Sequence, residues 1–331
     1  PAPDPARDTS RMCRSCDGAD GWPRRARRRS GILRPMSALR HRRRRGAWAL
    51  LPPAIAATAA ALLLAAGCGG GGDGGASAGA ADPGPVHVHG LGVNPSDGAL
   101  FVATHTGLFR MPEGSQRAER VGDRRQDTMG FTVVGPDRFL GSGHPDLRDD
   151  LPPHLGLIES TDAGRSWRPV SLLGEADFHA LRASGRRVLG HDATGARLME
   201  SEDGGRTWTV VRRDVALYDV AAHPGDPSRL VAAGEAGLAA SADGGATWRD
   251  LGARGVLLAW PRADRLYALA PDGAVMRTSD GGATWVRRGA LPGEPAALTA
   301  TGPEALIAAL HDGRLVSSGD GGRTWLPGAW S

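Results

Sequence analysis

SEDGGRTW at residues 201–208 decides the fold, because its pattern returns four more times in the chain: STDAGRSW at 160–167, SADGGATW at 241–248, TSDGGATW at 278–285 and SGDGGRTW at 318–325. The closing tryptophans, Trp167, Trp208, Trp248, Trp285 and Trp325, are separated by 41, 40, 37 and 40 residues. Every position suits a tight connection between antiparallel strands. The aspartates Asp162, Asp203, Asp243, Asp280 and Asp320 can accept hydrogen bonds from backbone N–H groups of their own turns, and glycine at the fifth position takes a positive φ without a Cβ penalty. Thr or Ser and Trp then resume a strand, with the indole free to pack between neighbouring units. A period of about 40 residues with turn glycines and one aromatic per unit predicts an all-β propeller with blades of four short strands.

Working outward, the segment YDVAAHPGDPSRLVAAGEAGLAASADGG at 218–245 reads strand, Pro/Gly turn, strand, short loop, strand, repeat turn. DTMGFTVVGPDRFLGSGHPD at 127–146 opens the blade that ends at Trp167, and VHVHGLGVNPSDGALFVATHTGLFR at 86–110 opens one more. That first blade has a degenerate turn, with Glu113-Gly114 where Asp-x-Gly is expected. Residues 86–331 make six blades; a seventh would need a segment the sequence does not supply, and the short stretch after Trp325 leaves the strand that closes the ring open.

The repeat resembles the Asp-box, or bacterial neuraminidase repeat, whose propeller superfamily includes sialidases, sortilin-type receptors and photosystem II assembly factors. HVHGLGVNP, ATHTGLF, DTMGF, SGHPD, LGLIESTDAGRSW and DFH look like a group of exported bacterial Asp-box proteins commonly labelled glycosyl hydrolase or exo-sialidase-like, over about 86–331. Fold-level likeness is a weak warrant for chemistry. Sialidases bind the substrate carboxylate through three arginines, the first in a Phe/Tyr-Arg-Ile-Pro string, and use a Tyr/Glu nucleophile with an Asp acid/base. Phe109-Arg110-Met111-Pro112 is a near match, but it lies where other blades place the third strand entering the turn. The only tyrosines are Tyr218 and Tyr267; Tyr218 opens a first strand and has no visible Glu partner. A two-carboxylate hydrolase using Asp127, Asp146 or Asp177 stays open, since spatial separation decides that mechanism.

The front of the chain has a different character. Residues 1–45 hold fourteen arginines against four acids, and 46–67 is apolar, uncharged and ends LLLAAG before Cys68. This is the pattern of an export signal, with Met36 as a plausible start and 1–35 as an over-extended N-terminus. Ala65-Ala66-Gly67-Cys68 resembles a bacterial lipoprotein cleavage box, which implies a 36–67 signal peptide, lipid on Cys68, a Gly/Ala-rich tether over 68–85, and a propeller at the extracytoplasmic face of the cell membrane. It departs from the usual pattern in placing Leu64 one residue too far from the cysteine; an uncleaved span over 46–67 is the other reading. Residues 1–67 carry fourteen of the 40 basic residues and four of the 36 acids, so the remainder is formally −6, contains no Lys, and shows no basic stripe for nucleic acid. Cys13 and Cys16 form an isolated CxxC, a weak metal or redox signal.

In a propeller of this connectivity the loops between blades and between second and third strands share one face, opposite the repeat turns. Eight of the nine histidines after residue 67 map there. His87 and His89 open blade one, and His179 opens blade three beside Asp177; Asp127 holds the matching place in blade two. His105, His144, His191 and His311 fall in second-to-third-strand loops, and His154 in the insertion GSGHPDLRDDLPPHLG at 141–156. His223 alone maps to the other side. His87, His89, His105, Asp127, His144, Asp146, Asp177 and His179 are the expected ligand-binding residues. His87, His89, His144 and His179 are the expected ligands if a divalent transition metal binds through neutral imidazoles. The competing reading makes these His and Asp residues ordinary turn chemistry. The expected function is ligand or partner binding, a glycan or an envelope protein; the alternatives are an exo-acting sialidase-like hydrolase and a scaffold for envelope protein assembly.

Overall fold

A computed structural model describes residue 82 and residues 84–328. The 1–35 extension, the 36–67 signal peptide, Cys68 and nearly all of the tether lie outside the described residues. The rest forms six four-stranded antiparallel sheets, each ordered as in the sequence. Blade one holds β1 (Val88–Val93), β2 (Leu100–Thr104), β3 (Gly107–Met111) and β4 (Glu119–Arg120). Blade two holds β5 (Asp127–Gly135), β6 (Arg138–His144), β7 (Leu157–Ser160) and β8 (Arg168–Ser171). Blade three holds β9 (Phe178–Ser184), β10 (Arg187–Asp192), β11 (Arg197–Ser201) and β12 (Thr209–Arg212). Blade four follows with β13 (Leu217–His223), β14 (Asp226–Gly234), β15 (Gly237–Ser241) and β16 (Arg249–Asp250), and blade five with β17 (Leu257–Arg262), β18 (Arg265–Leu269), β19 (Ala274–Thr278) and β20 (Val286–Ala290). Blade six comprises β21 (Pro295–Ala300), β22 (Leu306–Leu310), β23 (Leu315–Ser318) and β24 (Leu326–Pro327). The first strands form the inner ring, β1 against β5, β5 against β9, and so on until β21 meets β1. Among the described residues every blade keeps its own four strands, and the ring closes by packing between β21 and β1.

The core is divided among the six blade junctions. Side chains alternate across a strand, so Leu100 and Val102 of β2 pack with Ile307 and Ala309 of blade six, while Phe101 and Ala103 pack with Phe131 and Phe139 of blade two. Burying each large side chain contributes roughly 1.5–3 kcal/mol. The repeat tryptophans sit at these seams, each joining the cluster shared with the preceding blade: Trp167, Trp208, Trp248, Trp285 and Trp325. Trp208 stacks on Phe178 at 4.6 Å and donates its Nε1–H to Gly205 O at 3.0 Å. The junction between blades six and one, which the degenerate first turn leaves without a repeat tryptophan, is filled, among the described residues, by aliphatic residues, Met111 and Phe109.

The turns recur almost atom for atom. In 201–208, Ser201 Oγ donates to Asp203 Oδ1 at 2.8 Å and accepts the Gly205 amide at 2.8 Å. Asp203 also accepts the Arg206 and Thr207 amides, both at 2.9 Å, and the Thr207 hydroxyl. The same Ser/Thr-to-Asp and Gly-to-Ser/Thr bonds occur at Asp162, Asp243, Asp280 and Asp320. Gly205 has φ +86°, and a Cβ there would lie 2.0 Å from Leu157 Cδ2 of the previous blade. The turn therefore fixes blade spacing as well as hairpin shape.

Candidate functional site

Five of the six inner strands carry a shared irregularity near their starts. β1 pairs Val88 with Thr104 and Gly90 with Ala103, leaving His89 as the extra residue of a bulge. The register shifts at His179 in β9, at Tyr218 in β13, at Met129 in β5 and at Ala296 in β21. A bulge re-aims one side chain out of the alternation. Accordingly His89, His179 and Tyr218 line a narrow axial cavity of about 40 Å³. In its wall Arg182 pairs with the buried Asp219, whose other oxygen accepts the Leu258 amide at 2.8 Å, linking blades three, four and five. Burial pushes the Asp219 carboxyl upward, against the pull of Arg182 and two backbone amides. Arg182 also lines a larger cavity of about 320 Å³ towards the far end, with Trp260 and His223 in its wall.

At the junction of blades one and two, His89, His105 and Asp127 converge: each offers one ligand atom, all within 4.8 Å of one another. His105 lies in the β2–β3 turn and Asp127 begins β5, so the group exists only where two blades meet. His105 Nδ1 lies 2.7 Å from Asp127 Oδ2; the carboxylate only accepts, so Nδ1 carries the proton. Asp127 Oδ1 and His89 Nε2 face each other at 3.8 Å, both buried and without a hydrogen-bond partner. Burial and the neighbouring His105 push His89 down to about 4, against the pull of Asp127, so its imidazole is neutral at pH 7. His87 stands edge-on to His105 at 5.3 Å, on backbone at φ +53°, outside this three-residue group.

The junction of blades two and three repeats the arrangement with His144, His154 and Asp177. Two buried groups place Asp177: Asp192 Oδ1 accepts its amide at 3.0 Å, and Ser142 Oγ of blade two accepts the next amide, that of Phe178, at 2.9 Å. His179 donates Nε2–H to Asp177 Oδ2 at 2.9 Å. His144 Nδ1 gives its proton to Pro153 O at 2.8 Å, which turns the Nε2 lone pair towards Asp177 Oδ2, 3.6 Å away. Asp177 Oδ1 and His154 Nδ1 are buried without partners. Burial alone would push the Asp177 carboxyl up; the hydrogen bond from His179 and the charges of His179, His144 and His154 outweigh it and hold it below the usual range.

Asp146 serves the loop rather than either group. Its carboxylate accepts the Arg125 amide at 2.7 Å and both Nε and Nη2 of Arg148, and these bonds hold it well below the ordinary carboxylate range. Arg124 pairs with Asp149 and Arg148 with Asp123, stitching the 145–156 loop to the segment before β5. The loop thereby presents His144 and His154 from its two ends. His191 is buried, its Nε2 2.9 Å from Val215 O in the blade-three-to-four connection, a structural contact. His311 is an exposed turn residue, and His223 lies at the opposite end of the channel. Arg110 pairs with Asp97 at 2.8 Å on the third strand of blade one, away from both groups.

Of the eight histidines predicted to share a face, His89, His105, His144 and His154 fall into two groups at successive junctions, His87 and His179 stand beside them, and His191 and His311 belong to neither. His154 and the bulges are what the sequence reading did not single out. His154 was legible as the second histidine of the insertion; the bulges were not, because they depend on pairing between strands.

No protein-family model matches the chain, and no curated protein matches its sequence. Among solved structures it is similar to a GH74 xyloglucanase from Xanthomonas campestris, with 18% identity and a TM-score of 0.51 over 74% of this chain and 45% of that one. The GH74 enzyme of Niastella koreensis gives 15% identity and a TM-score of 0.55 over the same shares. A chain of a nidogen/laminin complex gives 14% identity and 0.53, over 66% of this chain and 88% of that one. The chain spans less than half the length of the two hydrolases. These likenesses define the class, a β-propeller, and stop there.

Proposed function

We propose that this chain is an extracytoplasmic Asp-box propeller, lipid-anchored through Cys68, that binds a glycan or an envelope protein through the His/Asp-rich sector formed by blades one to three. The observation that carries the reading is the convergence of imidazoles and carboxylates across two successive blade junctions, with a loop stitched down beside them. Rigid scaffolds that present extended loops commonly bind there. Histidine footprinting tests it. Diethylpyrocarbonate modification is followed by mass spectrometry with envelope glycan fragments, or solubilised envelope proteins, added separately. One fraction is expected to protect His105, His144 and His179 at least several-fold while leaving His311 reactive. Equal reactivity with both fractions, or protection centred on His311, contradicts the proposal.

The fold it shares with GH74 enzymes favours a second reading, an exo-acting glycoside hydrolase in which Asp127 or Asp177 acts on a glycan. Against it, each carboxylate is engaged by imidazoles of its own junction, and Tyr218 is half-exposed at the axial mouth, with Asp219 beside it in sequence taken by Arg182. Turnover of fluorogenic glycosides or xyloglucan oligosaccharides that is lost in Asp127→Asn or Asp177→Asn would establish the enzyme. Its absence with every glycoside leaves the binding role.

A further inference from the structure

The two His/Asp groups share a feature that hydrogen bonding within the protein does not satisfy. Four buried polar atoms without partners belong to them: His89 Nε2, Asp127 Oδ1, His154 Nδ1 and Asp177 Oδ1. The Asp177 side chain is only 5% exposed, and an unpaired buried carboxylate oxygen is costly. Two imidazole–carboxylate gaps also have an unusual width, one between the unpaired His89 Nε2 and Asp127 Oδ1, the other between His144 Nε2 and Asp177 Oδ2, which also accepts from His179. The 3.8 Å between His89 and Asp127 and the 3.6 Å between His144 and Asp177 exceed a hydrogen bond. They are too short for one water bonded to both atoms, which at roughly 2.8 Å from each needs about 4.5 Å between them. Two donors bound at about 2.0–2.2 Å to one transition metal stand roughly 3–4 Å apart, which is the width found.

At the second group the protonation pattern agrees; in the first, His105 donates its Nδ1–H to Asp127, which leaves Nε2 as its metal-binding nitrogen. Pro153 holds the proton of His144 on Nδ1, so a lone pair faces a carboxylate oxygen, an arrangement that a cation between them stabilises. A metal-binding imidazole commonly donates its other N–H to a carbonyl in this way. Nothing in either group is soft: no cysteine occurs in residues 82–328, and two imidazoles with one carboxylate suit Zn²⁺, Cu²⁺ or Ni²⁺ over Mg²⁺ or Ca²⁺.

The geometry points to two sites for divalent transition-metal ions, one held by His89, His105 and Asp127, the other by His144, His154 and Asp177. The inference rests on the binding role given above and names the chemistry of that face. Three protein ligands leave coordination open on each ion, so a bound partner is met through an oxygen or nitrogen donor of its own. His179, hydrogen-bonded to Asp177 and close enough for its charge to bear on His89, orients the second site and stands beside the first. His87 packs behind His105.

The test uses the chain in mild detergent, with any free thiol alkylated, stripped with chelator and titrated with Zn²⁺ or Cu²⁺ alone. Calorimetry and elemental analysis should both give two equivalents, with Mg²⁺ giving none. His105→Ala and His144→Ala alter side chains 44% and 40% exposed, so the fold should survive, as circular dichroism will verify. Each variant should lose one equivalent, or bind it at least tenfold more weakly, and the double variant should lose both. Bound Cu²⁺ should show nitrogen superhyperfine splitting that each variant reduces. No stoichiometric binding by the folded chain, or two undiminished equivalents in the double variant, overturns the inference. Since only metal is added, that failure leaves the footprinting result standing. Metal bound without any footprint would instead overturn the binding role and keep the sites.

Discussion

Asp243 lies exposed in its turn yet is held down at about 2, first by the Thr247 hydroxyl, then by the Thr247 amide and Ser241. Asp203, Asp280 and Asp320 are held lower still by the equivalent bonds. An unfolded aspartate titrates near 3.9. The folded pKa is the lower one, so each turn contributes stability that is complete above the unfolded value and is lost as pH falls from about 5 towards 2. Urea midpoints should therefore drop through that window. Asp243→Asn is expected to be less stable at pH 7 and to fall less steeply with acid; an unchanged slope would show that the turn carboxylate is not the titrating group. These roles were legible in the string itself, since Ser-x-Asp-x-Gly-x-Thr places donors and acceptor within one turn. The roles of Asp146 and His191 were not, because Arg125 and Val215, which occupy them, come from other segments.

At the scale of the hairpin, the fifth position of the turn couples local conformation to packing against the previous blade. Gly205→Ala puts a Cβ into left-handed backbone, at roughly 1–2 kcal/mol, and drives it against Leu157, at roughly 1–3 kcal/mol more. Chemical denaturation should show a loss of about 2–5 kcal/mol, with Gly185→Ala, a loop-tip glycine whose Cβ would meet nothing, losing only the conformational part. Equal losses at the two sites would mean that the junction contact contributes nothing. Strand order and blade count followed from periodicity, because a repeated hydrophobic pattern dictates a repeated sheet. The bulges at His89 and His179 did not: HVHG and DFHA read as plain alternation, and the extra residue exists only relative to β2 and β10. The sequence could therefore place His87, His89, His144 and His179 on one face without showing that they stand at two different junctions.

Across the whole ring, five junctions carry a repeat tryptophan and the sixth does not. Among the described residues the closing seam has no exchanged strand either. Native-state hydrogen exchange should find β1 and β21 opening with lower free energy than β9 and β13, and the blade-three-to-four seam exchanging last. Uniform protection around the ring would contradict a closure weakened by the missing repeat tryptophan. The proposed sites lie at the first two junctions, away from this seam, where Ser142, Asp192 and the 145–156 loop fix the ligating groups.

The most direct measurement of the account is anomalous diffraction at the zinc edge from crystals of the chain soaked in Zn²⁺. Two peaks should appear, one within about 2.0–2.2 Å of ligand atoms of His89, His105 and Asp127, the other likewise bounded by His144, His154 and Asp177. Peaks only at isolated surface histidines such as His311, or none while those side chains keep the spacing described, would contradict it.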